Sequence, residues 1–278
     1  MNTTQNIYDK IAEAGVLFNV HTEPLQTLQG KPVRDRVAIV NTETGNPLSI
    51  VSNRYKVVSN NDIVVATLNA IEAAKLDTTD AEVMVQTSAH GARSMIRIVM
   101  PAYSVLAGQN QTNLEIVTLN AYDGTWKYMT KAGGMRVACL NGQVMGKIIG
   151  SYSQYHNASL NVERGAENLV RMIGEFNTSG EWFTKMMNRA TTEAEVDKLV
   201  VKFLAIAAVH IDDSRAATRI RESYKKYATE MGANAYAVYN AFTDFITHRS
   251  RHKTAVASSR LYDENRFSSE ILSQKMFN

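Results

Sequence analysis

The stretch NLEIVTLNAYDGTWKYMT, residues 113–130, decides the fold. Its first part, Asn113 to Tyr122, is rich in β-branched side chains and partly alternates, as a strand on a half-buried sheet does. Asp123-Gly124 then supplies the positive φ of a tight turn, and Trp126 to Thr130 reads as the returning strand. An antiparallel hairpin follows, and the neighbouring segments extend it.

Toward the N-terminus, Glu82 to Ser88 and Arg93 to Met100 carry the same strand signature. His90-Gly91 joins these two, and Ala107-Gly108-Gln109-Asn110 leads on to residue 113; links this short favour an antiparallel meander. Ahead of the meander, Ser59-Asn60-Asn61-Asp62 is a run of good helix N-caps. Ile63, Ala66, Ala70, Ile71 and Ala74 follow at helical spacing, which predicts a helix over about 61–75. Earlier still, Arg36 to Asn41 and Leu48 to Ser52 flank the turn Thr44-Gly45-Asn46-Pro47, a second hairpin. The first 32 residues hold one short amphipathic helix, Ile7 to Ala14, then a polar stretch in which Pro24 and Pro32 are expected to break regular structure.

Toward the C-terminus, Gly133-Gly134 opens Met135 to Ile149, read as a helix whose Gly142 and Gly146 permit close packing on the sheet. From Asn161 onward apolar residues recur every three or four positions. Helices are predicted over Val162 to Phe176, Glu181 to Asn188, Glu193 to Val209, Ala216 to Glu230 and Ala235 to His248. Thr192 and Glu195 have the spacing of a capping box at the start of the third of these. The sequence thus predicts an α+β protein: an antiparallel β-meander flanked by helices, followed by a mostly helical C-terminal region. Its expected organisation is an N-terminal arm over 1–32, an α+β core domain over 33–160 and a helical region with a basic tail over 161–278.

Composition narrows the functional classes. With 45% hydrophobic and 21% charged residues, the 278-residue chain can bury a core without disulfides or metals. The lone Cys139 cannot form an internal disulfide, and the N-terminus has no signal-peptide pattern, so a cytoplasmic location is expected. The most apolar run, Leu199 to Val209, is interrupted by Lys202 and is too short for a membrane span. Net charge is only +3, but cations concentrate late: Arg215 to Arg266 holds ten Lys or Arg against five acids, whereas Met1 to Asp80 is acid-rich.

Catalytic signatures are weak. The six histidines are scattered without metal-ligand spacing, and Cys139 sits among apolar neighbours in Arg136-Val137-Ala138-Cys139-Leu140-Asn141. Gly133-Gly134 and Gly142-x-x-x-Gly146-Lys147 fall short of a phosphate-binding loop. No catalytic residue, metal or cofactor is therefore expected. The richest local signal is the alternation of aromatic and basic groups in Trp126, Lys127, Tyr128, Lys131 and Arg136. Aromatic faces stack on unpaired bases while cations track phosphates. The alternative is structural: Trp126 anchors a core behind an ordinary hairpin turn. Arg54-Tyr55-Lys56 repeats the alternation on a smaller scale, and Arg249-Ser250-Arg251-His252-Lys253 is the densest basic cluster.

Four motifs in this order resemble a phage- and plasmid-type family, domain of unknown function 932. They are Arg54 to Asn60 (RYKVVSN), Asn120 to Thr125 (NAYDGT), Arg136 to Asn141 (RVACLN) and Asn234 to His248 (NAYAVYNAFTDFITH), and the likeness spans about residues 45–250. The family often has Ser-His-Asp-Gly at the turn, where this chain has Ala121-Tyr122-Asp123-Gly124. It also often has Arg-Val-Val-Cys-Gln-Asn, where this chain has Arg136-Val-Ala-Cys-Leu-Asn141. Without the histidine, a catalytic turn is not implied. At the level of topology, a helix, an antiparallel meander and a glycine-containing helix are similar to the core of phage and eukaryotic single-strand annealing proteins, which form rings or filaments on DNA.

The function expected from these readings is ATP-independent binding and annealing of single-stranded DNA by a homo-oligomer, a ring or filament. Lys127, Lys131, Arg136 and Lys147 are assigned to phosphates, Trp126 and Tyr128 to base stacking, and Arg54 and Lys56 to supporting contacts. The rival is an interaction protein that inhibits a host defence or regulatory factor. A nucleic-acid enzyme would need carboxylates such as Glu115 and Asp123 to converge.

Overall fold

A computed structural model describes residues 3–107, 110–136, 150–178, 180–206, 214–248 and 274–277. It is an α+β fold in which two antiparallel sheets are combined with seven described helices. By internal contacts the chain forms two compact units. The first comprises Met1–Tyr103, Leu114–Ala132 and Gly150–Gly174; the second comprises Ser104–Asn113, Gly133–Ile149 and Glu175–Asn278.

In the first unit, α1 (Thr3–Glu13) buries Ile7 and Ile11. Three strands follow, β1 (Val20–Gln26), β2 (Pro32–Asn41) and β3 (Pro47–Ser52), paired in that order as one sheet. The expectation of an irregular stretch around Pro24 fails here. β1 is an edge strand that pairs only with β2, so a residue without an N–H is tolerated, and the register shifts at Pro24/Leu25 where Arg34, Asp35 and Arg36 bulge outward. The hairpin around Gly45, whose φ of +71° suits glycine, forms as the sequence predicts.

Helix α2 (Asn60–Ala73) starts where the N-cap run places it: the Ser59 side chain accepts from the Asp62 N–H. The second sheet has the order β4 (Glu82–Thr87), β5 (Arg93–Ala107), β6 (Asn110–Ala121), β7 (Tyr128–Arg136) and β8 (Ser151–Gln154). Sequence reasoning finds the first three strands but places the fourth too early and misses β8. Gly133-Gly134 lies inside β7 rather than at a helix start, and the rest of the predicted 135–149 helix, from residue 137, lies outside the described residues. β7 lies between β6 and β8, and every described side chain from Tyr128 to Gly134 is buried. A strand covered on both faces shows no polar–apolar alternation, so period-two reading fails on it.

Two apolar clusters consolidate this unit. Ile39, Val51 and Tyr122 form one; Val58, Ile63, Tyr128, Leu160 and Val162 form the other. Helix α3 (Val162–Thr178) lies against Tyr128 so closely that a Cβ on Gly165 would collide with the tyrosine oxygen. Glycine is needed there for contact, not for its backbone freedom.

The second unit contains α4 (Gly180–Asn188), α5 (Glu193–Ile206), α6 (Ser214–Met231) and α7 (Ala235–His248), each within a few residues of its predicted limits. The capping box at the start of α5 forms as a reciprocal pair. Glu195 N–H donates to the Thr192 hydroxyl at 3.3 Å, and the Glu195 carboxylate accepts from the Thr192 N–H at 3.0 Å. That N–H and Arg189 hold the Glu195 carboxyl below its ordinary range. The core is aromatic: Phe203 packs edge-on to Phe242 and Phe245, and Phe183 to Tyr236. No described helix is long and apolar enough to cross a membrane.

Candidate nucleic-acid interface

The first unit is pinned by a buried polar hub at Asn60. Its side-chain amide donates to Val16 O at 2.9 Å, and its carbonyl accepts from Ser94 and from Asn120, both at 2.8 Å. Its backbone N–H donates to the Tyr122 hydroxyl at 3.0 Å. Asn120 also donates to Val58 O. Burial pushes the Tyr122 phenol up to about 12, so it remains protonated. This hub joins α2, β5 and β6 and fixes the segments that lead to the surface.

From the hub, Tyr55 reaches inward to donate to Ala121 O at 2.6 Å and stacks on His156 with 4.7 Å between ring centroids. His156 hydrogen-bonds Lys56 O through Nδ1, while the Lys56 N–H donates to His156 O. The 54–56 segment is thereby tied to the segment after β8. There Tyr155 is 65% exposed, and the Lys127 ammonium lies 4.0 Å from its ring centroid. A cation at that distance from an aromatic face is held by the ring quadrupole.

Two further cations arrive from β2. Asn53 donates its N–H to Asp35 O and its side-chain amide to Arg34 O, which brings the Arg34-Asp35-Arg36 bulge beside Arg54. Arg34, Arg36 and Arg54 are exposed, as is Lys31 near the tip of the β1–β2 hairpin. Lys56 is exposed, with its ammonium donating to Leu160 O at 2.8 Å. Sequence reasoning missed Tyr155, Arg34 and Arg36, because they join the 54–56 segment only through long-range hydrogen bonds. Exposed cations on one hairpin were the available signal.

Several predicted site residues lie elsewhere. Trp126 is 6% exposed, with the Arg93 guanidinium 5.6 Å from its ring, and Tyr128 is 1% exposed inside an apolar cluster. Neither can stack on a base in this conformation, so the core reading of Trp126 holds. Lys131 is 1% exposed on the doubly covered β7 and offers no phosphate contact. Lys127 lies against Tyr155, the neighbour of the His156 to which the 54–56 segment is bonded. Arg136 closes β7, but its side chain, like Lys147, Cys139 and the 249–253 basic cluster, lies outside what is described.

The two carboxylates raised for an enzymatic role have structural partners. Glu115 is fully buried with the Arg97 guanidinium nitrogen at 2.7 Å, and Asp123 takes Arg93 at 2.5 Å while accepting from the Thr125 N–H and hydroxyl. Among the described residues no group of three His, Cys, Asp or Glu is placed to hold a metal.

The first unit of this α+β protein presents exposed cations on β2 and the 54–56 segment, and an exposed aromatic ring with a lysine against it. The chain belongs to the family described as Domain of unknown function (DUF932), whose model matches residues 47–267. No curated protein and no solved structure matches it. Within the matched range, Tyr55, Asn60, Asn120 and Tyr122 are residues of the hub and its outward extension, and Asp123 pairs with Arg93.

Proposed function

We propose that the protein binds single-stranded nucleic acid, DNA in the first instance, on the surface formed by Lys31, Arg34, Arg36, Arg54, Lys56, Lys127 and Tyr155. The observation that carries this reading is Tyr155: a large ring, mostly exposed, with a lysine fixed against it and arginines along the same connected segments. That combination suits a strand whose bases stack while its phosphates are neutralised, with little dependence on sequence. Assembly into a ring or filament, supporting annealing without nucleotide hydrolysis, extends the proposal, since a small cationic surface gains strand affinity when many copies act together. Mixing labelled complementary oligonucleotides with the protein, with and without Mg2+, tests it: annealing of intact strands supports the proposal, and cleavage or inertness opposes it.

One observation favours the rival interaction-protein reading. Residues 21–36 form a ribbon without a buried side chain, and Leu28 at its tip is fully exposed. An apolar tip on such a ribbon suits a protein partner. Leu28→Asp would abolish partner capture under that reading and leave oligonucleotide binding unchanged.

A further inference from the structure

Away from the cationic surface, α1 and α2 flank an open groove of about 290 Å3 lined by Thr4, Gln5, Tyr8, Asn61, Leu68 and Asn69, together with Val65 and Glu72. Its volume stands at the lower end of small-molecule sites, about 300–1,000 Å3. We propose that this groove binds a single nucleobase, read by side-chain amides.

Three properties of the lining lead there. First, the apolar part is Val65 and Leu68 beside the Tyr8 ring; Val65 remains 41% exposed although it faces a groove, and Tyr8 is anchored because its hydroxyl donates to Asn61 Oδ1 at 2.9 Å. An apolar wall next to an anchored ring accommodates a planar heterocycle. Second, the polar atoms left over are amide donors and acceptors. Asn61 has used only Oδ1, so its Nδ2 is available. Gln5 donates through Nε2 to Asp9 at 2.7 Å, leaving its Oε1. Asn69 is exposed and makes no hydrogen bond among the described residues. Amide pairs of this kind match the donor–acceptor edges of bases. Third, no cation lines the groove, and its one acid, Glu72, accepts a hydrogen bond from Thr4. Nothing there would hold a phosphate, so the recognised part is neutral.

The same features argue against an extended peptide. The walls are helices, so a peptide backbone would find no strand edge to join.

The test titrates the intact protein with adenosine, guanosine, cytidine and uridine, which lack phosphate, while following the side-chain amide resonances of Asn61 and Asn69. The expected result is saturable movement of those resonances by at least one nucleoside, nearly independent of salt. Asn69→Ala should weaken it about fivefold, the loss of roughly one hydrogen bond, with the melting temperature unchanged, and Val65→Trp, which fills the groove, should abolish it. Tyr155→Ala should leave it intact, which separates this site from the cationic surface. Absence of saturable binding by all four nucleosides, binding that survives both groove variants, or preferential capture of blocked dipeptides would overturn the proposal.

Discussion

Lys127 holds its ammonium 4.0 Å from the ring centroid of Tyr155, and the two flank the same end of the antiparallel β7–β8 pair, one just before Tyr128 and one just after Gln154. The register Tyr128↔Gln154 sets the two flanking positions side by side, so backbone pairing determines this cation–aromatic contact. The ring is exposed, unlike the nearby Trp126 and Tyr128, and that difference assigns the aromatic roles in the first unit.

Trp126 is a core residue on this account. Trp126→Ala should remove about 3–5 kcal/mol of stability by leaving a cavity, and nucleic-acid affinity should fall only in proportion to unfolding. Thermal melts paired with binding measured well below the melting temperature check this. Unchanged stability with lost affinity would return Trp126 to the interface.

Gly165 offers a test of the sheet–helix contact. Gly165→Ala places a methyl group against the buried Tyr128 ring, and overpacking of this kind costs about 1–3 kcal/mol. Tyr128→Phe removes the closest atom, so the double variant should recover part of the loss in denaturant unfolding. Additive destabilisation would contradict the contact.

His156 makes stability depend on pH. Burial lowers its imidazole pKa below the usual value near 6.5, despite the hydrogen bond to Lys56 O. Its Nε2 is buried without a partner among the described residues. The unfolded chain therefore takes up a proton that the folded chain refuses. The contribution is complete above about pH 6.5 and is lost as pH falls from there toward the lowered folded value. Melting temperatures across that window should drop more steeply for the wild type than for His156→Asn, whose amide can still donate to Lys56 O. Parallel curves would show that His156 is not the titrating group.

Much of the architecture was legible from residues alone. Helices α3 to α6 declare themselves because each buries one face and exposes the other, α7 is an apolar run buried nearly all round, and Thr192 with Glu195 marks the start of α5 through purely local bonds. The hairpin turn at Asp123-Gly124 was equally local, with Gly124 at a φ of +71°. What escaped was non-local. Burial of both faces of β7 hid Lys131 and Tyr128 behind an apparent aromatic–basic alternation. Pro24 sits in a strand because an edge position spares it a hydrogen bond. Arg34, Arg36 and Tyr155 reach the surface around Arg54 and Lys56 only through the bonds of Asn53 and the His156–Lys56 exchange, which no local pattern encodes.

The most direct test of the central claim is the salt dependence of single-stranded oligonucleotide binding, measured by fluorescence anisotropy for the wild type and Tyr155→Ala. With Lys31, Arg34, Arg36, Arg54, Lys56 and Lys127 on phosphates, log affinity should fall against log salt with a slope of about −4, at ~0.7 per phosphate contact. Tyr155→Ala should lose ~1–3 kcal/mol of affinity at every salt concentration, the worth of one stacked base, with slope and melting temperature unchanged. A flat salt response, or a Tyr155→Ala variant that binds as tightly as the wild type, would contradict the account.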